Sequence, residues 1–120
     1  MKTENLLIGY RGEEIAKRYL QNKGYRIIEQ NHKNKYAEID LIAYDKEILV
    51  FIEVRTKIGE ETGTPEETFK PKKIKKLIRN ALAYSTFRNY TGSYRIDAVC
   101  IVLDIRGNIK RINHYQNINM

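Results

Sequence analysis

A chain of 120 residues with 42% apolar and 31% charged content has the size and balance of one soluble globular domain, residues 1–120, with a core of its own. Its net charge of +7, from 22 Lys and Arg against 15 Asp and Glu, favours a polyanionic partner, nucleic acid or an anionic surface. No apolar run reaches the roughly 20 residues of a membrane span, the start Met-Lys-Thr-Glu-Asn reads as no secretory signal, and the single Cys100 can form no internal disulfide; together these fit a reducing, cytoplasmic location.

Residues 5–23 predict a helix closed by Gly24, with Gly9, Glu13, Ala16 and Leu20 on one stripe. Gly9 and Gly12 inside it predict close backbone approach to a neighbour. Residues 25–30 read as a first strand, 31–35 as a polar, basic loop, 37–44 as a second strand, 45–47 as a turn, and 48–56 as a third strand rich in Val, Ile and Phe. The acidic stretch 59–63 reads as a mobile loop. Thr64-Pro65-Glu66-Glu67 has a helix-start pattern: a Thr cap, Pro in the first position, and Glu three residues after the cap. Pro71 opens or interrupts a second helix that runs to about residue 86. Its Ile74, Leu77, Ile78, Ala81 and Leu82 make one apolar face, which leaves Lys70, Lys72, Lys73, Lys75, Lys76 and Arg79 to the other face and the first turns. Residues 94–103 predict a fourth strand buried on both sides, with Cys100 as a small core residue and no nucleophile. A turn at 106–108 and a last strand at 109–115 follow. Helix, three strands, helix, two strands predicts an α/β fold with a mixed sheet flanked by helices.

The stretch 37–57 places charge where strands should be apolar. Parity puts Glu38, Asp40, Ile42 and Tyr44 on one face of the second strand, and Leu49, Phe51, Glu53, Arg55 and Lys57 on one face of the third. A hairpin pairing Tyr44 with Leu49 sets Ile42 opposite Phe51, Asp40 opposite Glu53 and Glu38 opposite Arg55. Two carboxylates so placed repel, and burial adds a desolvation cost. Two readings follow: acids on a solvated strand end paired with Arg55 or Lys57, or acids sharing a hard divalent cation. In the second, Arg55 and Lys57 hold a phosphate and Glu13 supplies a third carboxylate. The lysine run is either a solvated helix face or a nucleic-acid groove. Tyr36, Tyr84, Tyr90 and Tyr94 either wrap the core or stack on bases. Only His32 and His114 are present, so a zinc site is poorly supported.

Asp40, twelve intervening residues and then Glu53-Val54-Arg55 resembles the Asp…Glu-x-Lys signature of restriction-endonuclease-like nucleases. More of the chain joins it: Gly12-Glu13, Tyr25, Asn31, Glu38-Ile39-Asp40-Leu41-Ile42, Phe51-Ile52-Glu53-Val54-Arg55, Lys73 with Ala81, and Arg95-Ile96-Asp97. Together these resemble the YraN family of small bacterial proteins, itself similar to archaeal Holliday-junction resolvases. The resemblance implies a restriction-endonuclease-like mixed sheet and a Mg²⁺ or Mn²⁺ site at Asp40 and Glu53. The Val54 carbonyl and the helix-borne Glu13 would add ligands. The reading that follows is a metal-dependent endonuclease on branched or otherwise structured DNA, with Lys72, Lys73, Lys76 and Arg79 along the backbone and a homodimer that would suit the two-fold symmetry of a junction. Two positions depart from the pattern. Ala37 stands where the family usually has Gly, and Arg55 stands where the wider signature has Lys. Arg does not deprotonate, so it cannot serve as a general base; Lys57, on the same strand face, is the expected stand-in. A non-catalytic nucleic-acid-binding module and a protein-interaction domain with a structural acid–Arg cluster are the competing readings.

Overall fold

The apolar periodicities resolve into two α-helices and five strands in a computed structural model that describes residues 2–119. In chain order these are α1 (Lys2–Asn22), β1 (Arg26–Lys33), β2 (Glu38–Asp45), β3 (Ile48–Ile58), a 3-10 turn (Pro65–Thr68), α2 (Pro71–Phe87), β4 (Tyr94–Leu103) and β5 (Ile109–Tyr115). The sheet keeps chain order, β1-β2-β3-β4-β5. All neighbours are antiparallel except β3 and β4, which α2 connects as a parallel crossover. The mixed α/β sheet with helices on its faces is therefore present. Among the described residues no helix is long and apolar enough to cross a membrane.

Strand alternation splits the core in two. Leu41, Ala43, Val50, Ile52, Val99 and Ile101 point to the side where α1 lays Ala16 and Leu20. Ile42, Phe51 and Ile96 point to the other side, against Leu77, Ala81 and Tyr84 of α2; Ile39, at the end of β2, packs with this cluster despite sharing the parity of Leu41. β4 is buried from Ile96 to Leu103, Cys100 included, and burial pushes the Cys100 thiol up to about 12, which keeps it protonated and inert.

The hairpin register is the expected one: Tyr44 pairs with Leu49 and Ile42 with Phe51. The ladder stops at Leu41–Ile52, one step before Asp40 would face Glu53. Beyond that point β2 stays paired with β1 out to Lys33–Glu38. β3 continues with β4 alone, from Glu53–Ala98 to Ile58–Leu103. The sheet thus forks where the acids lie.

Three expectations are corrected. β1 extends through the region read as a loop, because Ile28 bulges out between Ile27 and Glu29 and restores pairing. Asn31 continues the strand in the left-handed conformation, φ 53°, which Asn tolerates better than most residues. Thr64 makes no side-chain cap: the segment is a four-residue 3-10 turn that ends before Pro71, which holds Lys70 extended, and Glu66 pairs with Arg111 through bonds of 2.7 and 2.9 Å. Leu82 is 49% exposed; the buried stripe of α2 is Leu77, Asn80, Ala81, Tyr84 and Ser85. The 59–63 segment is a turn tied back to β5 by Glu60 and Arg111 at 3.1 Å.

Of the two helix glycines, only Gly12 meets a neighbour. A Cβ there would lie 1.8 Å from Thr56 Oγ1 and 2.8 Å from Thr56 Cβ, whereas Gly9 faces open space. Gly12 lets α1 touch β3 beside the fork, and it precedes Glu13. Gly12→Ala is therefore expected to lower stability by about 1–3 kcal/mol, read as a fall in Tm, and Gly9→Ala to leave Tm unchanged or raise it. Partial rescue of Gly12→Ala by Thr56→Ala would tie the loss to this contact.

Candidate metal and nucleic-acid site

A cleft of about 760 Å³ opens at the fork, lined by Glu13 of α1, Asp40 of β2, Glu53 to Ile58 of β3, and Lys73, Lys76 and Asn80 of α2. The fork explains how both helices reach one site: where the sheet divides, the two faces it normally separates become continuous.

Asp40 closes the open rung with its side chain. Its Oδ2 accepts the Val54 N–H at 2.9 Å, a donor that β2 leaves unpaired when it diverges. The N–H and C=O of one strand residue point to the same side, so the Val54 carbonyl also faces the fork. Burial, and then the neighbouring Glu53 carboxylate, push Asp40 up to about 8. Burial raises Glu13 as well, with a smaller contribution from Glu53, against the lowering influence of the Asn31 amide.

Glu53 is buried, and its Oε2 takes both available cations: Lys73 Nζ at 2.9 Å and Arg55 Nη2 at 3.1 Å. Lys73 thus stands inside the site and not only along its rim. Lys57 lines the same cleft and forms no ion pair among the described residues. Lys76 is exposed at the cleft edge, and Lys72 and Arg79 are exposed outside it. Asn31 is the residue sequence reasoning left in a loop. It stands between the Gln30–Leu41 and His32–Ile39 rungs, beside Asp40 and within reach of Glu13. Its only sequence signal was the family resemblance.

The oxygen donors suit a hard divalent cation. Among the described residues, Glu13 Oε1 is buried without a hydrogen-bond partner, Asp40 uses only Oδ2 and Glu53 only Oε2. The Asp40 and Glu53 carboxyls lie within hydrogen-bonding reach of each other, with the Val54 carbonyl beside them. No three His, Cys, Asp or Glu side chains among the described residues form a ready-made cage. A cation would rest first on Asp40, Glu53 and Val54, with Glu13 joining directly or through water.

Comparison with known proteins places this constellation in a family. The profile described as "Uncharacterised protein family UPF0102" matches residues 12–101, a span containing Glu13, Asp40, Glu53, Arg55 and Lys73. The UPF0102 protein of Pelotomaculum thermopropionicum is 40% identical over 112 residues, 92% of this chain and 93% of its own length. That of Fervidobacterium nodosum is 40% identical over 106 residues, 88% of this chain and 77% of its own. That of Herpetosiphon aurantiacus is 38% identical over 125 residues, 100% and 99%. The chain belongs to the UPF0102 family, the YraN family that its motifs resemble.

Proposed function

We propose that this protein is a divalent-cation-dependent endonuclease acting on DNA, with Asp40, Glu53, the Val54 carbonyl and Glu13 holding Mg²⁺ or Mn²⁺. The observation that carries this reading is the forked hairpin. A buried Glu53 and a half-buried Asp40 are set side by side at the cost of a raised Asp40 pKa, in a cleft that also presents Arg55, Lys57, Lys73 and Lys76. A sheet that served only stability would gain by ending the strands with neutral residues.

A bound cation would supply positive charge at the scissile phosphate and ease the ionisation of an attacking water. The chain's own residues divide the remaining work. Arg55 is a fixed fork of donors suited to phosphate oxygens. Its Nε is buried with no partner among the described residues, so it has a donor to offer. Lys73 is a flexible amine where Arg55 is a planar guanidinium, and its Nζ already lies in the site at 2.9 Å from Glu53. It therefore supplies the lysine that the strand lacks, more directly than Lys57. The exposed Lys72, Lys76 and Arg79 meet the DNA backbone, and branched DNA is the substrate the resemblance favours. A homodimer and a cytoplasmic location complete the proposal.

One observation favours a second reading, a non-catalytic nucleic-acid-binding module. Arg55 and Lys73 together already neutralise Glu53. A panel of labelled four-way junctions, flaps and single strands with Mn²⁺ or Mg²⁺ separates the two. The nuclease reading expects nicked products that EDTA abolishes. It also expects a loss of about 10²–10³-fold in Lys73→Ala, a smaller loss in Arg55→Ala, and retained or raised cleavage in Arg55→Lys. DNA binding without product on any substrate would leave the binding module.

A further inference from the structure

We propose that the exposed Tyr36–Phe87 pair is a stacking platform for an unpaired base, so that the cleft takes DNA with a single-stranded segment running from the fork along α2. This rests on the nucleic-acid reading above and names the form of the substrate.

The two rings lie 5.7 Å apart at 39°, with Tyr36 56% and Phe87 64% exposed. Neighbouring aromatics on this side of the sheet turn inward. Phe51 packs against Tyr84 and Tyr94, and Tyr84 is buried. The Tyr36–Phe87 pair therefore presents aromatic surface that the core does not use. Its presentation is fixed. Asn34 Oδ1 accepts the Tyr36 and Ala37 N–H groups at 2.8 and 2.9 Å, and Asn80 Nδ2 donates to the Glu38 carbonyl at 2.9 Å. These bonds tie the β1–β2 turn to α2, so platform and cleft share one frame.

The charge around the pair matches a polyanion. Lys35 Nζ sits 5.1 Å from the Tyr36 ring centroid, and Lys33, Lys35, Lys76 and Arg79 are exposed. None of these four forms a salt bridge among the described residues, in contrast to Arg88, which is held by Glu29 at 3.3 Å. Cations left free beside aromatic faces are the combination that binds single strands, phosphates on the charges and bases on the rings.

The line from the cleft to the platform follows from helix geometry. Lys73 and Phe87 are two heptads apart, and a helix drifts only about 20° per heptad, so both lie on one side of α2; Asn80 between them is buried against Glu38, and the exposed Lys76 and Arg79 flank that line. At about 1.5 Å per residue, Lys73 and Phe87 stand about 21 Å apart, a few nucleotides of an extended strand. Duplex bases have both faces covered by their neighbours; only an unpaired base can offer one to Tyr36. The same surface could instead seat a second copy of the chain, and the test separates the two.

The experiment is fluorescence anisotropy with the full chain, labelled oligothymidylate and a blunt duplex of equal length, at low salt in EDTA. EDTA makes binding independent of the metal, so absence of cleavage would leave this readout intact. Tyr36→Ala and Phe87→Ala are each expected to weaken single-strand binding about 5- to 150-fold, the range of ~1–3 kcal/mol per stacked base. Tyr36→Phe should stay near wild type, and duplex binding should change little. Unchanged single-strand affinity in both alanine variants would overturn the platform. So would an equal loss on duplex, or a wild-type dimer that both variants convert to monomer.

Discussion

Asp40→Asn is expected to reduce Mn²⁺-dependent cleavage by at least about 100-fold, since even the outer partners of metal ligands cost 10–100-fold when removed, and to make the metal-free protein more stable at pH 9. The two effects have one cause. Asn keeps an oxygen for the Val54 N–H and removes a charge that burial and Glu53 oppose. Asp40 titrates near 8 in the fold against 3.8 for the free side chain. Between those values the folded state holds a proton that the unfolded state has released, so stability falls as pH rises from about 4 to 8. Asp40→Asn should flatten this limb. In the proposed site a cation would take the place of the proton. Binding at pH 7 should therefore release protons and weaken as pH falls, and saturating Mn²⁺ should restore Tm most at high pH. Thermal scans at pH 5, 7 and 9 in EDTA and in Mn²⁺ read the first part. Titration calorimetry in two buffers of different ionisation heat reads the second. Parallel pH profiles for wild type and Asp40→Asn, or an equal Mn²⁺ shift in both, would remove Asp40 from a metal site. Glu53→Gln should lose cleavage to a similar extent without the gain in stability, because it strands Lys73 and Arg55.

The part of this site that could be read from the sequence is the part that depends on strand parity. Residues with a period of two, an apolar far end and a short turn specify which side chains share a face, and the Tyr44–Leu49 register followed from them. The fork could not be read this way. It depends on β1 holding one prong and β4 the other, which are contacts distant in sequence. Lys73 was ambiguous for a related reason. A helical wheel assigns it to the polar side of α2, and only the crossover between β3 and β4 brings that first turn over Glu53. The Thr64 cap failed because the segment it was to open is only a four-residue 3-10 turn, cut short by Pro71, which holds Lys70 extended. Asn31 was missed because a left-handed residue and a bulge disguise a strand as a loop. The resemblance supplied names for the acids; the geometry of the divided sheet supplies the physical reason they stand together.

Asp97→Ala is expected to be the most destabilising single change, about 3–5 kcal/mol, the usual cost of removing one partner from a buried ion pair. In the sequence Asp97 looks like a second Asp40, an acid within an apolar strand. It pairs with Ile52, one rung from Glu53–Ala98, but faces the opposite side of the sheet, under α1. There it is fully buried and fully satisfied. Arg95 Nε donates to it at 3.0 Å, Tyr25 Oη at 3.1 Å and the Asn117 N–H at 3.0 Å. His114 Nε2 lies 2.8 Å away, and its Nδ1 faces Lys23 Nζ, which can only donate; the proton of the neutral ring therefore sits on Nε2 and points at Asp97. Burial alone would raise this carboxyl, but the hydrogen bonds from His114, Arg95 and Asn117 outweigh it and hold Asp97 below its ordinary value. Burial and Asp97 push Tyr25 up to about 12, which keeps it a donor. The pH sign is opposite to that of Asp40: the stability Asp97 contributes is present above the ordinary carboxylate range and is lost as pH falls through it. Urea unfolding of Asp97→Ala at pH 7 should show the full loss, and the deficit relative to wild type should shrink at acid pH. A loss below about 1 kcal/mol would mean that the network does not hold β5 and the end of α1 to β4. Two acids with the same sequence appearance thus serve opposite ends. Asp97 is compensated by the chain itself and stabilises the fold, whereas Asp40 has the Val54 N–H and no cationic side chain paired with it among the described residues, the place the proposed metal would fill.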